Sequence, residues 1–312
     1  MELVFNELSI PQIISDKETG IESFECFLKA YSYAVSKYSF SRSILTAHDL
    51  NDIIISNGYY SSIWRNDCHT DRDLKTLYKR MCDLQQILEP SDDLEITFEG
   101  TAGKGMLIAY IDELFMLSIP SEMKFNQFKI QGDCYSLETD QTTRVTLSNI
   151  SSVKNIDDNQ SEISDYINKH RVEYNSLKEL LENISTAFPN LVFGKEARNQ
   201  IKTQLQIQHL SAVINKLKQL DDYFSHWDGE RFDMTCFPNK SVSPESKETL
   251  NRYKDEHTFV FDGEPVVVSY HIRYTGNIPG RIYFYPDQKS KKGLICSLTT
   301  KLSTILYPKS KI

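Results

Sequence analysis

The sequence predicts an α+β protein with a mixed amino-terminal region, long helices and a carboxy-terminal antiparallel sheet. Three observations carry this. Residues 258–308 hold four β-rich runs punctuated at Asp262-Gly263, at 276–280 and at 288–293, as hairpin turns would be. Apolar residues recur at threes and fours over 19–37, 71–88, 162–187 and 195–227, the spacing of helices with one buried face. The 17 Tyr and 16 Phe favour substantial β-structure over a purely helical chain.

In chain order, residues 3–5 read as a short first strand, 19–37 as a helix, 41–47 as a second strand and 48–56 as an amphipathic turn or short helix. The helix at 71–88 stops before Pro90, and 94–98 is a strand. Residues 125–137 and 142–147 are β-prone and read as a hairpin. The polar stretch 149–159 serves as a linker, which divides the chain into 1–155, a mixed region, and 156–312, a helical hairpin with the terminal sheet. Within 195–227, Leu210, Val213, Leu217, Leu220 and Phe224 form a narrow apolar seam of coiled-coil type; it either closes a helical hairpin with 162–187 or docks a protein partner. Ser243 is placed to cap a short helix before the sheet.

Composition excludes several classes. With 40% apolar and 25% charged residues, 10 Pro and 12 Gly, the chain is globular rather than disordered or fibrous. Acidic Glu2 and Glu7 stand where a signal peptide needs basic residues, and the run 106–119 carries Asp112 and Glu113, so the expectation is a soluble cytoplasmic protein with no membrane partner. Six cysteines include no C-x-x-C pair, and seven histidines include no H-E-x-x-H, so no metal and no cofactor are expected; Cys68-His69 with Cys82 is the nearest approach to a zinc set. The loop Gly100-Thr-Ala-Gly-Lys-Gly105 lacks the spacing of a phosphate-binding P-loop and reads as a turn at a helix start. The acids of 91–99 with Lys104 lack the tight acid-x-Lys pairing of a metal-dependent nuclease.

The terminal sheet is the functional candidate. Alternation sends Val266, Val268, Tyr270, Ile272, Tyr274, Ile282 and Phe284 to an apolar face, and Ser269, His271, Arg273, Arg281, Tyr283 and Tyr285 to a polar one. From Pro265 onward eight Lys/Arg face one acid, Asp287, so this end carries +7 in a chain of −8 and the remainder −15. Guanidinium groups suit phosphate and rings suit bases, so Arg273, Arg281, Tyr283, Tyr285, Lys289, Lys291 and Lys292 are the candidate nucleic-acid contacts. His271 is the candidate acid or base. The alternative is a face neutralised internally by the acidic remainder.

Two resemblances bear on function. Phe259-Val-Phe-Asp-Gly263, His271-Ile-Arg-Tyr and Arg281-Ile-Tyr-Phe284, over about fifty residues, are similar to the terminal strands of RelE-type ribonuclease toxins. That resemblance implies metal-independent RNA cleavage, with Arg273 and Arg281 on phosphate, His271 moving a proton and Tyr283 positioning RNA. More broadly, residues 3–9, 105–122, 188–201 and the HIRY and RIYF strands resemble bacterial proteins of phage-defence and mobile-element neighbourhoods. This resemblance implies an accessory or effector subunit of an anti-phage complex, working with operon-encoded protein partners and contacting nucleic acid; it assigns no catalytic residue. A ribonuclease and a non-catalytic scaffold are the alternatives.

Overall fold

The computed structural model describes residues 2–11, 16–87, 94–137, 140–170, 174, 176–206, 209–237, 241–274, 280–300 and 302–305. Its α+β architecture is arranged as two compact units, Met1–Arg171 and Val172–Ile312.

The first unit opens with β1 (Leu3–Phe5) and α1 (Lys17–Tyr38), whose first turn is closed by the Asp16 carboxylate accepting the Thr19 N–H at 2.8 Å. There follow β2 (Ile44–Thr46), the hairpin β3 (Ile54–Ser56) and β4 (Tyr59–Tyr60), α2 (Ser61–Asn66), α3 (Arg72–Asp83) and β5 (Gln85–Ile87). The remainder is β6 (Leu94–Phe98), β7 (Thr101–Ala102), α4 (Lys104–Asp112), β8 (Phe115–Leu117), β9 (Lys129–Ser136), β10 (Gln141–Ile150), α5 (Val153–Asp158) and α6 (Gln160–His170).

Eight strands form one sheet in the order β5-β2-β1-β8-β10-β9-β6-β7. The ladders from β5 through β8 to the end of β10 are parallel, and the rest are antiparallel. Both faces are covered. Leu3 and Phe5 pack with Phe24, Trp64 and Tyr78 from α1, α2 and α3, while Val4 and Met116 pack with Met106 and Ile108 of α4. This explains why Leu-Val-Phe and Phe-Met-Leu are apolar at every position rather than alternating.

Two expectations change here. The helix over 71–88 ends at Asp83 and residues 85–87 pair with β2, a parallel ladder overriding helical spacing. The stretch 149–159 is no linker: it completes β10 and forms α5, burying Asn149, Ile150, Ser151 and Ile156, so the boundary falls at Arg171 rather than 155.

The second unit comprises α7 (Leu177–Ala187), β11 (Leu191–Phe193), α8 (Lys195–Thr203), α9 (Leu210–His226), β12 (Val242–Pro244), α10 (Lys247–Arg252), the hairpin β13 (Thr258–Phe261) and β14 (Glu264–Val267), β15 (Tyr270–Arg273), β16 (Gly280–Asp287) and β17 (Lys292–Thr300). Its sheet runs β11-β17-β16-β15-β12, antiparallel except for β11 with β17. Ile272, Ile282, Phe284 and Ile295 face α7, α8 and α9.

The long helices are shorter than expected. Gln200 explains one break: its Oε1 accepts the Leu298 N–H at 2.7 Å and the Ser297 hydroxyl at 3.0 Å, pinning α8 to β17 where the helix ends. The other falls before Ser176, whose hydroxyl accepts the Glu179 N–H and starts α7. Leu210, Val213, Leu217, Leu220 and Phe224 are buried in this unit's own core, so the seam is not a partner-docking surface. Ser246, not Ser243, caps α10; Ser243 lies in β12. Among the described residues no helix is long and apolar enough to cross a membrane.

Candidate functional site

The carboxy-terminal sheet does bring His271, Arg273, Arg281 and Tyr283 together. Antiparallel pairing sets His271 opposite Tyr283 and Arg273 opposite Arg281. The face they share is not open to solvent, and at its Tyr283 end β13 and β14 fold over it: Phe259, Phe261 and Val266 pack with Val268, Tyr283, Leu294 and Cys296. Val268 and Val266 thus belong to this covered face rather than to the one predicted, since the chain turns after β14 and the Val268 N–H bonds to the His257 carbonyl at 2.8 Å.

His271, Arg273, Arg281 and Tyr283 are 4%, 7%, 4% and 0% exposed, so none offers a surface for a polymer. Glu245 lies in the same interior, its Oε1 3.1 Å from His271 Nδ1. Burial pushes the His271 imidazole down to about 4, the Glu245 carboxylate opposes this, and Arg281 and Arg273 reinforce it. Near pH 7 the ring is therefore neutral, and the Glu245 contact joins a neutral imidazole to a carboxylate. For Glu245 burial acts upward, but His271, His257 and Arg281 outweigh it and hold the carboxyl below its ordinary value. Tyr283 is held protonated by burial, and its Oη accepts the Leu302 N–H at 2.8 Å. Tyr285 is half-buried against the hairpin.

Of the predicted nucleic-acid contacts, Arg273, Arg281 and Tyr283 are thus interior groups, a correction that rests on their burial. Lys289 and Lys291 remain exposed at the β16–β17 turn, and half-buried Lys292 donates to the Pro189 carbonyl at 2.9 Å. Elsewhere, ligand atoms of Asp67, Cys68 and His69 lie within 4.8 Å of one another. The Asp67 carboxylate is already taken by Tyr59 Oη, the His69 N–H and Lys17, and Cys82 is buried in the core.

A second constellation, at the carboxyl ends of the parallel strands, escaped the sequence reading. β1 lies between β2 and β8, and the flanking helices change from the α1 face to the α4 face at this point; open α/β sheets place a ligand crevice outside the strand ends at such a switch. A buried polar cluster lies at this position. Asn6 Nδ2 donates to Ser118 Oγ at 2.9 Å, Ser118 Oγ donates to Asn149 Oδ1 at 2.7 Å, and Ser9 Oγ receives the Ile119 N–H at 2.9 Å. Asn6, Ser9, Ser118 and Asn149 are fully buried. Asn6 Oδ1 nonetheless has no hydrogen-bond partner, and neither does His48 Nε2.

Glu7 follows Asn6 and lies across the first turn of α4, both carboxylate oxygens accepting the Gly105 N–H, at 2.9 and 3.1 Å. The helix opening read from the Gly100 to Gly105 loop therefore already holds an anion, supplied by the chain. Burial pushes the Glu7 carboxyl up, against the pull of the Gly105 and Lys104 backbone N–H groups and of His48. The crevice thus offers acceptors: the Asn6 carbonyl, the spare lone pairs of Glu7, and whichever face of His48 its tautomer presents. The signal for it was an Asn or Ser placed directly after a wholly apolar strand, as in Leu-Val-Phe-Asn6 and Phe-Met-Leu-Ser118. Comparison with protein-family models, with curated proteins and with solved structures finds no match, so the site stands on its own geometry.

Proposed function

We propose that the amino-terminal unit binds a nucleoside or sugar at the carboxyl ends of β1 and β8, and that the chain acts as a ligand-responsive accessory or effector subunit of a bacterial anti-phage complex. One observation carries the binding reading: the fully buried Asn6, one residue before Glu7, holds an unpartnered carbonyl oxygen at the switch point of the sheet. A buried acceptor without a partner costs about 1–3 kcal/mol, and a donor on a ligand would recover it. Adjacent hydroxyls match adjacent acceptors, and Glu7 on the first turn of α4 disfavours a phosphate there. The resemblance to proteins of phage-defence neighbourhoods supports the cellular setting.

Titration calorimetry with adenosine, ribose and inorganic phosphate tests this. Adenosine or ribose is expected to bind the native chain, phosphate not, and Glu7→Gln to weaken binding about tenfold while the fold is retained by circular dichroism. Binding of neither adenosine nor ribose, or binding indifferent to Glu7→Gln, removes the reading. A second reading, contact with nucleic acid at the β16–β17 turn, is favoured by exposed Lys289 and Lys291. It predicts salt-sensitive binding of RNA or DNA that Lys289→Glu with Lys291→Glu abolishes.

A further inference from the structure

A groove runs along the outer sides of α1 and α3. Its two cavities, about 610 and 720 Å³, share Ser32, Ser36, Leu77 and Arg80. The smaller one includes Lys29 and Asp73. The larger lies at the carboxy-terminal ends of both helices, just ahead of β2 and β5, at the edge of the sheet opposite the Asn6 crevice. Its volume is in the range of small-molecule sites, about 300–1,000 Å³.

The larger cavity has a divided lining. Val35, Phe40, Leu77 and Leu84 give an apolar wall, and Arg42 and Arg80 bring two guanidinium groups, with serine hydroxyls between. Among the described residues no carboxylate lines it, although the chain as a whole carries a net charge of −8. Among the described residues neither Arg42 nor Arg80 has an acidic partner. The opposing term is the helix dipole, since α1 and α3 both point their carboxyl ends here. Each contributes about −0.5 charge, so together they offset about half of the two full positive charges. The balance is positive, beside an apolar surface.

We propose that this cavity binds a small phosphate monoester with an apolar or aromatic body. The phosphate is held by the planar forks of Arg42 and Arg80, which match its oxygens in pairs. The body lies against Val35, Leu77 and Leu84, where its burial adds to the affinity. The site is separate from the Asn6 crevice and does not rest on the nucleoside reading.

Calorimetry on the full chain at low salt, with phenyl phosphate as probe and inorganic phosphate and phenol as controls, tests it. Phenyl phosphate is expected to bind at least about tenfold more tightly than either control, and Arg42→Gln or Arg80→Gln to weaken it about tenfold each. Both arginines are exposed, so the variants should keep the native melting temperature. Arg72→Gln, an exposed arginine of α3 outside the lining, should leave binding unchanged. Phenyl phosphate binding no tighter than phenol, or unaffected in the Arg42→Gln, Arg80→Gln double variant, overturns the site. Equal binding of inorganic phosphate overturns the role of the apolar wall, and an equal loss in Arg72→Gln reduces the effect to general surface charge and overturns the proposal.

Discussion

Glu7 closes the first turn of α4 through Gly105: one backbone N–H is shared by both carboxylate oxygens, ninety-eight residues away in sequence. The contact ties β1 to the helix on the opposite side of the crevice and leaves no room for a side chain. A Cβ on Gly105 would lie 2.2 Å from the Phe5 carbonyl oxygen and 2.5 Å from Glu7 Oε2. Gly105→Ala is therefore expected to destabilise the chain by about 2–3 kcal/mol, read as a lowered urea midpoint, because a backbone oxygen cannot swing aside. An unchanged midpoint would mean that β1 and α4 are not held this closely.

Stability should fall between pH 6.5 and 4.5 because of His271. Its folded value of about 4 lies below the ordinary 6.5, so the unfolded chain binds the proton more readily. The stabilisation is present above pH 6.5 and drains as pH falls toward 4, by about 3 kcal/mol in total at 1.36 kcal/mol per unit. Glu245, also held low, loses its contribution only below its ordinary 4.5, whereas buried His209, likewise held below its ordinary value, drains over the same upper window, so the His271 share is the part that His271→Gln removes. Urea midpoints measured from pH 7 to 4.5 should flatten in His271→Gln; an equally steep fall in the variant would assign the effect elsewhere.

Glu245→Ala should be among the most damaging single changes in the second unit. It removes a carboxylate from an interior that also holds Arg273 and Arg281, and loss of one member of a buried charge set typically costs about 3–5 kcal/mol. Thermal denaturation will register it. A loss below about 1 kcal/mol would show that other groups carry the balance.

Leu217→Ala distinguishes core from docking seam. Leu217 is fully buried, so truncation should cost about 2–5 kcal/mol in the isolated chain. Native stability in the variant would return the α9 seam to the role of a partner surface.

The amount legible in the sequence varied with the physics of each part. The β15–β16 pairing and the Ile272, Ile282, Phe284 face followed from alternation, because that face meets a single layer of helices. Its other face did not, since nothing local to Tyr283 reports that residues 258–267 will fold back over it, and nothing local to His271 or Arg273 reports their burial. The parallel strands β1, β2, β5 and β8 are only three residues long, too short for periodicity, so β5 was absorbed into a helix and the amino-terminal region remained merely mixed. The break at Ser176 was readable, as Ser176-x-x-Glu179 is a capping signal; the one after Thr203 was not, because it depends on Gln200 reaching β17. Asn6 and Ser118 became a site only once the strand order placed them side by side.

Burial within the terminal sheet also separates what this chain titrates from what it displays. Arg273 and Arg281 count fully toward its isoelectric point, yet each is more than nine-tenths enclosed beside Glu245. Of the basic residues predicted to form this face, an approaching ion or resin meets only Lys289 and Lys291 as exposed side chains, at the far turn. The chain should therefore elute from an anion exchanger as if more acidic than its composition, and elution in urea, which unfolds the sheet, should move it toward the position its composition dictates.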